Sequence, residues 1–346
     1  MGDRFFRFRA SGLIVFTMVI LVFAGACAKS SPDVYIAGFE ELDNGNNVAV
    51  YWKNGEKTVL SENRGSSMAV SIAVSDNNVY VAGLESAEQG RLQAVYWKNG
   101  EKTVLSENAF SAWTSSIALS GSDVYVAGRE MSAQGRFTAV YWKNGQRVVL
   151  SEEPLSSLAN RIAIVNSAVY AAGNDANGQP SGVKAVYWKD GERIALSKDS
   201  GNAGVNAMAV SGSDIYFTGS EDSKVVYWKN GDIVEVTDGN SISKAYGIAV
   251  SGPDVYLAGQ EVNISGKTVA VYWKNGVKTT LTESANTGIA NSIAINSPNY
   301  YIAGVDTNSN HVDYAVYWKN GVKTQLSRSP GVVSATAYDI LLVAKK

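Results

Sequence analysis

Seven carboxylates stand at equivalent places along the chain, each two residues after a glycine that closes an apolar run: Glu40, Glu85, Glu130, Asp175, Glu221, Glu261 and Asp306. A ring of acids can attract a cation or a basic ligand. Single acids in such places also accept backbone N–H bonds within their own loops. Recurrence in every copy favours the structural role, because a binding site seldom needs sevenfold repetition.

A second set recurs two residues before an Ile or Met: Val70, Ser115, Asn160, Asn206, Tyr246, Asn291 and Tyr338. Amides and phenols here suit a neutral polar ligand such as a glycan. Trp113 is the one Trp outside a repeated motif, and Phe110 stands beside it in a segment read as a long loop. Phe110, Trp113, Ser115, Asn160, Asn206, Tyr246, Asn291 and Tyr338 together form the candidate ligand-binding set. An exposed aromatic of this kind can stack on a sugar or a peptide.

Other chemistry finds less support. Asp306, Asn308 and Asn310 alternate oxygen ligands as a calcium loop begins, but the later Gly and bidentate acid are missing, so no metal is expected. His311 is the only His and Cys27 the only Cys, which excludes His-based triads and a His-rich zinc site within the chain. A pair of carboxylates acting on a glycosidic bond remains the one catalytic option. No cofactor is expected. With 30 basic and 32 acidic residues there is no excess of Lys and Arg for nucleic acid.

The elements that position these residues are repeats. Tyr-Trp-Lys occurs seven times, with Trp at 52, 97, 142, 188, 228, 273 and 318. A period near 45 residues signals units that stack. Each copy has four short apolar runs rich in β-branched and aromatic residues, bounded by Gly, Ser, Asn or Asp, which read as strands. Asn-Gly joins the last two runs in six copies and Asp190-Gly191 in the fourth, a signal for type I′ hairpins. Both faces of the resulting meander are apolar, as in Ala-Val-Tyr-Trp, so it must be covered on both sides. A seven-bladed β-propeller of four-stranded antiparallel blades does this and leaves only short edges.

The ends of the chain fit the same ring. Residues 34–38 are second-strand sequence, and 338–342 are first-strand sequence. The C-terminal strand is therefore expected to join the N-terminal blade. The short turns share one rim, so the longer and more variable loops share the other, which is the candidate functional face.

The order of inner strand, Gly-ended strand, Trp-ended strand and short outer strand resembles WD40-type blades. The wording Ala-Val-Tyr-Trp-Lys-Asn-Gly followed by Leu-Ser is similar to the Trp-containing extracellular repeats of bacterial proteins called HAF repeats. The resemblance covers residues 33 to 343 and implies fold and an extracytoplasmic address. The Trp-Asp dipeptide and loop His of WD40 blades are absent.

The N-terminus is separate. Arg4, Arg7 and Arg9 precede an apolar run from Leu13 to Phe23 and then Ala24-Gly25-Ala26-Cys27. These are the parts of a secretory signal peptide, and the run is short for a spanning helix. Its end resembles the lipobox of bacterial lipoproteins, although that family prefers Leu where Ala24 stands. The expected organisation is a signal peptide over 1–26, a tether over 27–32 from lipidated Cys27, and a propeller over 33–346.

The function expected from sequence is a non-catalytic module of the bacterial cell envelope, monomeric and anchored to the membrane by lipid. It would recognise a protein or glycan through the long-loop face. A purely structural envelope lipoprotein is the alternative, and a polysaccharide hydrolase or lyase using long-loop carboxylates the third. Replacing Cys27 by Ser is expected to abolish fatty-acid labelling and move the protein to the soluble fraction. Retention in the membrane with an unprocessed N-terminus would make the apolar run an anchor instead.

Overall fold

The computed structural model describes residues 31–61, 65–107, 109–151, 156–176, 182–197, 202–283 and 286–345; the signal-peptide segment and Cys27 lie outside them. It contains seven four-stranded antiparallel sheets. The first blade takes its outer three strands, Asp33–Leu42, Asn47–Lys53 and Glu56–Val59, from the N-terminus. Its inner strand is Val332–Val343, paired antiparallel with Asp33–Leu42. The ring is thus closed by the C-terminal strand, as the sequence implied. The remaining blades follow in order, with inner strands beginning at Ser67, Ser111, Ser156, Ala203, Ser243 and Thr287.

Local chemistry explains each blade. In the first Asn-Gly turn Asn54 has φ 53° and Gly55 φ 87°, the two positive angles of a type I′ turn. The Asn54 side chain then accepts the Val34 N–H at 2.9 Å and donates to Asp33 at 2.9 Å, tying the turn to the second strand. The residue after the Leu that follows the outer strand serves the third strand: Ala94 N–H donates to Ser106 Oγ at 2.9 Å, and Ala270 N–H to Thr282 Oγ1 at 2.8 Å.

The seven repeat Trp are among the largest fully buried side chains. Each lies in a cluster shared with the preceding blade: Trp97 with Tyr35, Ala37 and Ala49, and Trp52 with Tyr301, Ala303 and Ala315 across the closure. One buried Trp removes about 150–250 Å2 from water, which is worth about 4–6 kcal/mol before entropy.

A bulge sets how closely the inner two strands approach. In blade two Ala69 faces Gly83 and Ser71 faces Ala82, so Val70 is the extra residue. The same irregularity falls at Ser115, Asn160, Asn206, Tyr246, Asn291 and Tyr338. Beside each bulge, paired with the residue before it, stands a glycine within the second strand, such as Gly83 opposite Ala69. A Cβ on any of these seven glycines would lie 1.8–2.1 Å from an inner-strand carbonyl oxygen. At Gly83 it would also meet the Trp97 ring at 2.5 Å.

Gly83→Ala is therefore expected to cost more than about 3 kcal/mol, since backbone and Trp cannot both move away. Gly100→Ala, at φ 88° with nothing within 4 Å, should cost only about 1 kcal/mol, from backbone strain alone. Denaturant midpoints of the two variants measure the difference, and equal losses would contradict the close-approach argument.

Candidate functional site

The recurring acids are not open to a shared ligand. Six of them pair with a base on the outer strand of the same blade. The pairs are Lys57–Glu40 at 2.9 Å, Lys102–Glu85 at 2.6 Å, Arg147–Glu130 at 2.6 Å, Arg193–Asp175 at 2.5 Å, Lys278–Glu261, and Lys323–Asp306 at 2.6 Å. Each base stands five residues after its Trp, a spacing that would have revealed the pairing in the sequence. In blade five Ile233 occupies that place, opposite Trp228. Glu40 does more than its siblings. It also accepts the Ser329 N–H and hydroxyl at 2.9 and 2.8 Å, linking the first blade to the segment that precedes the closing strand.

The bulge residues from the candidate set bond to the next blade. Ser115 Oγ donates to Ala159 O at 2.5 Å, and Asn160 Nδ2 to Val205 O at 2.7 Å. Asn206 Nδ2 donates to Ala245 O at 2.8 Å and Asn291 Nδ2 to Ala337 O at 2.9 Å. Their donors are thus used in stitching blades together. Tyr246 and Tyr338 are phenols whose pKa burial raises, and Tyr338 packs 5.7 Å from Phe39.

Trp113 does not sit in a loop with Phe110. The inner strand begins at Ser111, so Trp113 is a strand residue opposite Arg129. Its half-buried ring meets Phe137 edge-on at 5.5 Å, with the Arg129 guanidinium 4.9 Å from Trp113 and 5.2 Å from Phe137. Burial lowers the Arg129 pKa, and two aromatic faces partly replace its lost water. The loop read as starting here is shortened because the bulge lengthens the inner strand.

Phe110 remains exposed, at 39%, with Arg91 stacked 4.6 Å above its ring. Around it three adjoining cavities of about 760, 570 and 510 Å3 share Glu107 and Ala109. Their walls carry Arg91, Glu107, Glu130 and Arg147, so the cleft offers both signs of charge beside one aromatic ring. Arg91, Glu107 and Arg147 were not singled out by the sequence.

No three His, Cys, Asp or Glu converge as metal ligands among the described residues. The calcium candidates are engaged in part, since Asp306 Oδ1 is buried without a hydrogen-bond partner. Asp306 accepts from Lys323 and Asn286, and Asn308 Oδ1 accepts the N–H groups of Asn310 and Val312 in its own turn. On the opposite rim, Lys98 and Lys143 lie over Tyr80 and Tyr125 at 5.4 and 5.2 Å.

No family model matches the chain, and no curated protein matches its sequence. Solved structures do match its fold. A puromycin hydrolase is similar at TM-score 0.59 and 10% identity, over 87% of this chain and 53% of the other. The β-propeller domain of the trilobed protease from Pyrococcus furiosus is similar at 0.55 and 9%, over 87% and 98%. An acylaminoacyl peptidase from Pyrococcus horikoshii is similar at 0.52 and 12%, over 85% and 50%. At these identities the likeness shows the fold. This chain spans about half the length of the hydrolase and the acylaminoacyl peptidase.

These neighbours correct the expectation of a non-catalytic envelope binder, and with it the expectation of no enzymatic role. The residues of this chain speak only for nucleophiles and bases within it. The similar structures come from peptidases, and in two of them the propeller-like part is about half of the enzyme.

The ion pairs yield a test of their own. Lys57→Ala would leave Glu40, whose side chain is 2% exposed, as a buried unpaired charge and should cost about 3–5 kcal/mol. Lys102→Ala removes a pair whose lysine is 45% exposed and should cost less than about 1 kcal/mol. Chemical denaturation of the two variants at neutral pH checks the ranking, which reverses if burial does not govern these pairs.

Proposed function

We propose that this propeller serves peptide-bond hydrolysis, as the substrate-handling unit of a peptidase. The observation that carries the reading is the likeness to peptidase structures, in one case over nearly the whole of a protease's propeller domain. The cleft at Phe110 supports it, because an aromatic ring flanked by Arg91, Glu107, Glu130 and Arg147 suits a short peptide with its two charged ends. Attachment to the bacterial envelope through acylated Cys27, and kinship with HAF-type extracellular repeats, are parts of the same proposal. They are supported by the N-terminal residues and the repeat wording.

The full chain is expected to bind short peptides saturably, and oligosaccharides of equal size should not compete. Phe110→Ala should weaken peptide binding at least about tenfold, as for an anchoring aromatic, while leaving the fold intact. Deleting the gene should lower hydrolysis of peptide amides by the envelope fraction of the source cells, with recovery on adding the full chain. Saturable glycan binding without peptide binding, together with unchanged hydrolysis in the deletion, would overturn the reading.

A further inference from the structure

The seven inner strands surround an axial cavity of about 200 Å3. The residue after each bulge lines it: Asp339, Ser71, Ser116, Arg161, Ala207, Gly247 and Ser292, in blade order. One half of this ring is closed by its own hydrogen bonds. Asp339 accepts from Ser71 Oγ at 2.9 Å, Ile72 N–H at 3.1 Å, Ser292 Oγ at 2.8 Å and Ile340 N–H at 3.0 Å. Ser71 and Ser116 accept the N–H groups of Ile117 and Ile162 in the blades that follow them, at 3.3 and 3.4 Å.

The other half is built differently. Arg161, Ala207 and Gly247 carry no acceptor, so the corresponding N–H groups of Met208, Ile248 and Ile293 meet no side-chain oxygen from the preceding blade. Small residues are required at one point of this arc, since a Cβ on Gly247 would lie 3.0 Å from the Ser292 Cα. Arg161 is the only cation lining the cavity. Its Nη1 donates to Ser115 O at 3.3 Å and Asn160 O at 3.1 Å. Nε and Nη2 have no partner among the described residues, and neither is a sealed buried atom, so that edge is open to the lumen. The edge between Nε and Nη2 presents two parallel N–H bonds, the geometry that pairs with a carboxylate.

We propose that the axial channel holds a carboxylate on the free edge of Arg161, with backbone N–H groups of the Ala207–Gly247 arc as further donors. Asp339, the one other charge in the lining, is saturated by its four hydrogen bonds and does not compete for the guanidinium. Burial pulls the Arg161 pKa down and the charge of Asp339 opposes this, so a bound carboxylate would replace water that the channel has removed. The site is separate from the cleft at Phe110 and does not depend on the peptidase reading. The carboxylate can belong to a small free acid or to the end of a peptide thin enough to enter the channel.

The test uses the full chain with an arginine-specific dicarbonyl, the label on Arg161 being followed by peptide mass spectrometry. Propionate at about ten times its Kd should slow labelling of Arg161 about tenfold, and propionamide should not. Gly-Gly and its C-terminal amide form a second pair. Protection by propionate identifies a free acid as sufficient, and protection by Gly-Gly alone identifies a peptide terminus; both support the site. Arg161→Met should abolish the thermal stabilisation that the protecting acid gives the unmutated chain. The labelling arm stands without the variant if Arg161→Met fails to fold. Equal labelling with and without both acids, or equal protection by acid and amide, would overturn the proposal.

Discussion

The close approach of one glycine to one inner-strand carbonyl, two residues before the bulge, is the contact on which the rest of each blade depends. With the inner strand bulged, the space opposite it admits a hydrogen and nothing larger at Gly38, Gly83 and their five counterparts. The repeat Trp packs against the same place, as the near approach of Trp52 and Trp318 to Gly38 and Gly304 shows. Its ring then fills the gap to the preceding blade. Because a closed ring has no free sheet faces, each interface supports its two neighbours, and the closing strand Val332–Val343 completes the last of them.

The bulge has a second effect, on polar groups. It turns one inner-strand side chain out of the ladder, toward the adjacent blade. Ser115, Asn160, Asn206 and Asn291 use that freedom to reach a neighbouring carbonyl. Those carbonyls sit at the inner edge of a sheet, where no fifth strand satisfies them, so a hydroxyl or amide from the preceding blade stands in for a strand. Blade-to-blade adhesion is therefore apolar at the Trp and polar near the axis.

What the sequence made legible was whatever recurs in a fixed register. The Trp, the Asn-Gly turns and the split first blade all follow from spacing, and the fold follows from them. The acid–base pairs were missed because Lys57 and Glu40 lie 17 positions apart on non-adjacent strands. Only the coincidence of Lys57, Lys102, Arg147, Arg193, Lys278 and Lys323 at one offset from Trp betrays them. Trp113 was misplaced because an extended inner strand and a loop look alike when both are short and polar. The likeness to solved peptidase structures was illegible for another reason: at 9–12% identity it lies in the fold and not in shared residues.

Repetition and departure from it occupy different radii. The apolar interfaces hold at mid-blade, where all seven copies keep Gly and Trp, so substitutions nearer the axis need not disturb them. Asp339, Ser71 and Ser116 extend a hydrogen-bonded arc that three further copies could have continued with serine. Instead Arg161, Ala207 and Gly247 stand in succession, and the arc stops. A serine at 161 would supply the acceptor that Ser71 and Ser116 provide, but not the two contacts that Arg161 makes with Ser115 O and Asn160 O. The guanidinium is held by two carbonyls and by the charge of Asp339, while two of its nitrogens keep free donors. The loss of local symmetry at the axis thus falls on three successive blades, each of which keeps its repeat Trp buried.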